Sequence, residues 1–235
     1  AFADRRAVQQ YAERLQRLCE GGFEEFAAAV TAEPLRIASI PKLDPWDVDQ
    51  ELWQEVDSFG RESRAHPVPT RDIAVRTVFG RCLSAHMASV LTDCADHLLP
   101  GVAAAYRPGR SDAVQQAILD AADAVARGHR FWIKVDVADA FNSLPRRRVG
   151  EELKVLGFDD AFVARVLAVV GAPRVRRIRG RWVPVPNDRG CPAGLPESAE
   201  LINVLFRRFD LDVARRHPNV VYIRYSDDLL FLAAT

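Results

Sequence analysis

Two adjacent carboxylates, Asp227 and Asp228, lie in the middle of the run Tyr222-Ile223-Arg224-Tyr225-Ser226-Asp227-Asp228-Leu229-Leu230-Phe231-Leu232. The apolar, β-branched and aromatic flanks read as two strands of a hairpin turning at Ser226-Asp227-Asp228, with the carboxylates at its tip. Aspartates at turns often do no more than bond their own backbone. A charged pair pinned between apolar strands, however, repels itself unless a cation shares it, and hard oxygen donors suit magnesium or manganese. A third carboxylate stands upstream. Phe131, Ile133 and Val135 alternate as a strand does, and the chain turns polar soon after Asp136, which places Asp136 near a strand end. Two ions held roughly 3.5–4 Å apart by such carboxylates stabilise both the attacking and the leaving oxygen of an in-line phosphoryl displacement. The chemistry indicated is nucleotidyl transfer.

The elements that must position these groups are read from periodicity. Residues 4–30 show helical spacing broken at Gly21-Gly22, giving two helices. Leu35 to Lys42 alternates as a strand and Arg64 to Thr70 as a short extended piece. Asp72 to Leu99 reads as one or two helices with Ile73, Val75, Val78, Phe79, Leu83, Met87, Val90 and Leu91 on the apolar face. Another helix is expected from about Asp112 to Ala126, with Ser111 as its N-cap. Phe158 to Val170 is again helical, and Arg174 to Val185 alternates basic and apolar residues as a hairpin turning at Gly180. Such a basic ribbon suits a duplex backbone. A glycine- and proline-rich loop, Gly190 to Ser198, precedes a helix opening near Pro196 with Leu201, Val204, Leu205, Phe209 and Leu211 along it.

Four segments then carry a resemblance. Tyr225-Ser226-Asp227-Asp228 resembles the Tyr-x-Asp-Asp motif of reverse transcriptases, and Lys134 to Phe141 is similar to their first palm motif. Gly190-Cys191-Pro192-Ala193-Gly194-Leu195-Pro196-Glu197-Ser198, followed by Leu201-Ile202-Asn203, is similar to the Gly-x-Pro-Gln-Gly-x-Pro-x-Ser motif between them. Ala105-Tyr106-Arg107-Pro108-Gly109-Arg110-Ser111 resembles the Gly-Phe-Arg-Pro-Gly-Arg-Ser signature of bacterial, group II intron-like members. The four fall in family order over about 130 residues.

The resemblance implies an α+β right-hand polymerase, with an antiparallel palm sheet and packed helices. An N-terminal helical segment would occupy residues 1–30, fingers 31–130 and palm 131–235, with a fingers-like excursion over about 145–189. The sequence reaches Thr235 just after the catalytic hairpin, so the family's helical thumb is expected to be absent from it. Asp136, Asp227 and Asp228 would be catalytic and, with the Val137 carbonyl, would hold two Mg2+ ions, Mn2+ being the alternative. Lys42, Arg64, Phe141 and Gly194 would contact the incoming nucleotide. A bulky Phe141 beneath the sugar favours deoxynucleotides. Arg107, Arg110 and Tyr225 would contact template or primer. Asp139 matches no catalytic position and reads as a turn residue. Three departures stand out: Ala193 replaces the usual Gln, Leu195 stands where a small or polar residue is common, and an acidic insertion, Leu43 to Ser63, separates Lys42 from Arg64.

Composition sets the remaining bounds. The 235 residues, 49% hydrophobic, suffice for a sizeable core. Lys and Arg number 32, equal to Asp and Glu, so no global basic charge marks a nucleic-acid binder. Arginines nevertheless crowd the C-terminal half: Arg146 to Arg148, Arg174 to Arg181, Arg207, Arg208, Arg215 and Arg216. A local phosphate-tracking surface is compatible with overall neutrality. No apolar run reaches membrane-spanning length and no leader is evident, which gives the expectation of a cytoplasmic bacterial protein with no membrane partner. Cys19, Cys82, Cys94 and Cys191 lack zinc-site spacing and are expected as reduced, buried thiols. The expected function is RNA-directed DNA polymerisation in a retron or phage-defence setting. Its partners would be an RNA template, a DNA or RNA primer and dNTP, with an associated non-coding RNA or a thumb-supplying protein. The rival reading is a catalytically silent scaffold of the same fold that binds RNA or protein.

Overall fold

The structure is a computed structural model, and it describes residues 13, 20, 22–41, 70–110 and 112–234. In chain order these form α1 (Gly22–Ala32), β1 (Leu35–Pro41), β2 (Thr70–Val75), α2 (Val78–Ala95), a 3-10 turn (Asp96–Leu98) and α3 (Ala113–Ala126). β3 (Phe131–Asp136), the short α4 (Ala140–Ser143), α5 (Arg146–Val155) and α6 (Asp160–Val170) follow. The last elements are β4 (Arg174–Ile178), β5 (Arg181–Val185), α7 (Pro196–Arg216), β6 (Val221–Tyr225) and β7 (Asp228–Ala233).

Two sheets organise the chain. The first has the order β2-β1-β4-β5 and the second β3-β7-β6. In the first, β1 pairs antiparallel with β2 and parallel with β4, so residues 174–185 join the sheet begun by residues 35–41. The second, the palm sheet, is antiparallel throughout. The main core lies between α1, α2, α5, α6 and the first half of α7, through Phe79, Leu83, Met87, Val149, Leu153, Val166 and Leu201.

Several local expectations hold for identifiable reasons. The β4–β5 turn falls at Arg179-Gly180, whose φ values of 49° and 81° are what a two-residue hairpin with right-handed strand twist requires. Pro196 opens α7 at its first turn, where a missing N–H costs nothing. Others are corrected. Asp72 to Val75 is not helical: it completes β2, whose ladder to β1 outweighs the apolar periodicity, and Ile73 and Val75 are β-branched residues suited to a strand. The helix starts only at Val78, after Thr77, whose hydroxyl accepts the Gly80 N–H at 3.2 Å. The expected apolar stripe of α7 is also broken. Phe209 and Leu211 are exposed, while Asn203 and Asp210 are wholly buried. Cys82 and Cys94 are exposed rather than buried, and only Cys191 of the described cysteines is enclosed. α3 is entered from Asp112, which makes no side-chain cap bond; Ser111 lies outside the described residues, as do Lys42, Arg64 and Cys19. Among the described residues no helix is long and apolar enough to cross a membrane.

Candidate active site

Asp136 ends β3 and stands directly opposite Asp228, the first residue of β7. Opposed residues of an antiparallel ladder project to one face with Cβ atoms about 4.5–5.5 Å apart, so these carboxylates share a face. Tyr225 is the β6 partner of Asp228 and completes a row across the sheet. Asp227 occupies the two-residue turn with Ser226, and its carbonyl accepts the Val137 N–H at 3.2 Å. That bond ties the end of β3 to the hairpin tip. All three carboxylates are thus brought to one end of the palm sheet, each at least partly accessible.

They do not form a chelate as they stand. Among the described residues no group of three or more His, Cys, Asp or Glu is arranged to hold a metal ion. Two like charges facing each other across a ladder are destabilising, and a lysine meets that cost here. Lys134 lies two residues before Asp136 on the same face, and its Nζ sits 3.0 Å from Asp228 Oδ1. The hydrogen bond and charge of Asp228, with Asp136 beyond, raise the Lys134 pKa above the ordinary lysine value. The donor set is nevertheless chemically apt for Mg2+ or Mn2+, being made of carboxylate and carbonyl oxygens alone.

The loop before α7 is fixed by backbone fit. Gly190 has φ +80°, and a Cβ there would lie 2.3 Å from the Asn142 carbonyl oxygen. Gly194 has φ +90°, and a Cβ would meet the Ala74 oxygen at 3.1 Å and Ile73 Cβ at 3.2 Å. Its close neighbour is therefore β2, and Ala74 N–H also donates to the Ala193 carbonyl at 2.8 Å. The glycines admit close approach of protein backbone here. Below the loop, Arg146 donates to the Gly190 and Asn187 carbonyls and to Asn187 Oδ1, and Arg174 donates to the Arg189 and Gly190 carbonyls. Burial lowers both guanidinium pKa values, and for Arg174 the neighbouring Arg146 adds to the effect. Burial pushes the nearby Cys191 thiol up to about 12, leaving it protonated and unreactive.

A cavity of about 300 Å³ opens beside this loop, lined by Arg174, Arg176, Arg189, Asp72, Asp139 and Asn142 among others. Arg174 and Arg176, expected on a ribbon facing a duplex, thus turn toward a pocket that reaches Asp139, three residues after Asp136. Arg176 is held there by Asp72. Asp139 adopts φ +49° at the start of α4 and accepts a hydrogen bond from Asn142 Nδ2 at 2.7 Å, in keeping with a turn role. A larger apolar cavity of about 400 Å³ lies away from the carboxylates, between α1, α2 and α6.

The remaining candidates are distributed unevenly. Phe141 is half-buried against the main core, and its carbonyl accepts the Cys191 N–H at 2.8 Å. Arg107 is engaged inside the protein: Nη1 bonds the Pro100 carbonyl at 3.1 Å, Nη2 the Asp96 carbonyl at 2.9 Å, and Nε the Asp96 carboxylate. Its guanidinium braces the turn, while Arg110 is exposed.

Sequence reasoning missed a buried cluster directly beneath the hairpin. Arg224 and Asp210, both 0% exposed, form an ion pair at 2.7 Å, with Asn203 and Tyr222 bonded into the same network. The available signal was a lone arginine at an inward position of an apolar strand. A second buried pair, Arg76–Glu197 at 3.2 Å, joins the end of β2 to the start of α7, with Ser84 donating to the same Glu197 oxygen at 3.0 Å.

A palm sheet with paired carboxylates at its tip, backed by helices and joined to a second sheet, defines a fingers–palm polymerase core. The sequence from residue 66 to 235 matches the family model described as reverse transcriptase (RNA-dependent DNA polymerase), and the chain belongs to that family. Similar folds occur in telomerase of Candida albicans in complex with a telomeric RNA fragment (TM-score 0.58, 12% identity, 93% of this chain and 41% of that one). They occur also in a truncated apo telomerase of Candida tropicalis (TM-score 0.52, 9% identity, 72% and 42%). A third similar structure is the RNA-dependent RNA polymerase of bacteriophage phi12 (TM-score 0.50, 12% identity, 87% and 37%). The chain therefore spans about two fifths of these proteins. No curated protein matches the sequence significantly.

Proposed function

We propose that this chain is the fingers and palm portion of an RNA-directed DNA polymerase that adds deoxynucleotides to a primer 3′-hydroxyl. The observation that carries the reading is the meeting of Asp136 with Asp228 and the Asp227 turn at the end of the palm sheet, in a chain of the reverse transcriptase family. Asp136, Asp227 and the Val137 carbonyl, assisted by Asp228, would hold two divalent ions, which when bound supply charge stabilisation to the attacking and leaving oxygens. Lys134 pairs with Asp228, and Asp228 would have to leave that contact to assist with a metal.

The chain's own groups do the positioning. Tyr225, in the row with Asp228 and Asp136, supports the primer end. Phe141 acts as the steric gate that excludes a 2′-hydroxyl. The cavity beside Arg174 and Arg176 accepts the triphosphate, Gly194 bounds the nucleotide site, and Lys42 and Arg64, outside the described residues, are assigned to the nucleotide by resemblance alone. Arg110 contacts template, and the brace formed by Arg107 holds its turn. Ala193 in the place of the family's Gln supports a specialised setting such as a retron or phage-defence system, with a non-coding RNA or a partner protein engaged on the duplex side.

The test is primer extension by the full-length protein on a defined RNA template in Mg2+ and in Mn2+, with deoxynucleotides and then ribonucleotides. The expected outcome is templated DNA product that is absent with Asp227→Asn. A folded protein that binds RNA but makes no product with any primer would replace this reading with the scaffold.

A further inference from the structure

We infer that Arg224 is a positioning residue for the reaction: its buried guanidinium fixes the main chain of the Ser226-Asp227 turn and so sets where Asp227 stands. The inference rests on the polymerase reading above for its catalytic consequence, though not for its structural one.

Arg224 is the only charged residue of β6, and its whole side chain is sealed from solvent. Four contacts engage all three nitrogens of the planar fork. Nε lies 3.0 Å from Asp210 Oδ1, Nη2 lies 2.7 Å from Asp210 Oδ2, and Nη1 bonds both Asn203 Oδ1 at 2.9 Å and the Ser226 carbonyl at 3.0 Å. The last contact couples the network to catalysis, because Ser226 is the residue immediately before Asp227. Ser226 adopts φ +59°, a conformation unfavourable for a side-chain-bearing residue, and it is buried. Its carbonyl needs a donor, and Arg224 supplies one.

The far end of the network is equally fixed. Asp210 also accepts from the Tyr222 hydroxyl at 2.8 Å, and Asn203 donates to the Ala105 carbonyl at 2.9 Å. Both main-chain groups of Arg224 bond the 102–104 segment, its N–H donating to the Val102 carbonyl at 3.0 Å and its carbonyl accepting the Ala104 N–H at 2.8 Å. The Phe206 ring stacks 5.1 Å from the guanidinium carbon. One side chain thus references the catalytic turn to α7 and to the 102–105 segment at once.

Stability alone gives no reason for this arrangement, since apolar residues of similar volume commonly replace a buried ion pair without loss. A lysine could keep the charge but not the fork, and would lose the simultaneous hold on Asp210 and Ser226.

Two variants separate positioning from folding: Arg224→Lys, and the apolar double replacement Arg224→Met with Asp210→Leu. Each is compared with wild type by thermal melting, by amide hydrogen exchange over residues 225–229, and by primer extension as a function of dNTP concentration. The expected result is a folded protein whose kcat falls at least about tenfold while KM for dNTP changes less than about threefold, the signature of a lost transition-state contact. Exchange at Asp227 and Asp228 should quicken by a similar factor. A folded double variant with wild-type kcat and wild-type exchange would overturn the proposal. Should the double variant fail to fold, Arg224→Lys decides, and wild-type kcat and exchange there are equally fatal. A wild-type protein that extends no primer, while its turn amides still loosen in Arg224→Lys, would remove the polymerase reading and leave the positioning role standing.

Discussion

The two outer strands of the palm sheet are supported in opposite ways. β6 is sandwiched: α7 packs on one face through Tyr222, Leu229, Phe206 and Val213, and α3 on the other through Ile223, Leu232 and Ala124. β3, at the other edge, is open on both faces, with Phe131, Trp132 and Ile133 at 66%, 66% and 64% exposure. Yet each strand leads into one part of the proposed catalytic set. Asp227 is placed by a buried side-chain network, whereas Asp136 is placed by main-chain pairing to β7 and the Val137–Asp227 bond. Carboxylates can therefore meet at one end of a sheet while depending on different physics, tertiary packing for one and a ladder for the other.

Substitutions at increasing distance from the chemistry should break that symmetry of function and reveal the asymmetry of support. If the proposed function holds, Asp136→Asn should cost about a thousandfold or more in extension rate, because a metal ligand there would supply several kcal/mol in the transition state. Its melting temperature should stay near wild type, as measured by circular dichroism. Asp210→Ala strands a buried guanidinium and should cost about 3–5 kcal/mol in denaturant unfolding. Glu200, on α7, tests the buried side by pH. Burial raises its carboxyl to about 7, with Asp96 adding to the effect and the Thr92 hydrogen bond and Arg107 opposing it. The native state then keeps a proton that the unfolded chain releases, so stability falls as pH rises from about 4.5 to 7. Glu200→Gln should flatten that slope and stabilise the protein at pH 8 by about 1–2 kcal/mol. The smallest effect belongs to the open edge: Ile133→Ala should change stability by no more than about 0.5 kcal/mol. A larger loss would mean that β3 is covered in solution.

Much of this was legible in the sequence where a local rule governs the outcome. The hairpin tip follows from two apolar runs around Ser226-Asp227, and the start of α7 from Pro196. The β4–β5 turn follows from a glycine after an arginine that tolerates φ +49°. What was not legible depends on partners distant in sequence. β2 was hidden because its apolar spacing fits a helix until β1 pairs with it. The Arg224–Asp210–Asn203 network was hidden because a buried polar residue on α7 breaks the very periodicity from which burial is read. The same holds for Gly190 and Gly194, whose neighbours are Asn142 and Ala74. The three carboxylates could be assigned to one place, but that Lys134 occupies Asp228 followed only from the register of β3 on β7.

The parallel pairing of β1 with β4 has a consequence for how the chain is made. Leu35, Arg36 and Ile37 stand in register with Arg174, Val175 and Arg176, on strands separated by more than half the chain. Contacts of such long range are slow to form, because the entropy of closing the intervening loop precedes any reward. During synthesis at about 5–20 residues per second, the β1 edge waits on the order of ten seconds before its partner leaves the ribosome. Over that interval the β1–β2 hairpin presents unpaired main-chain donors and acceptors to its surroundings. This four-stranded sheet is thus begun first and closed late, and the nascent chain is most vulnerable to mispairing before the arginines of β4 arrive.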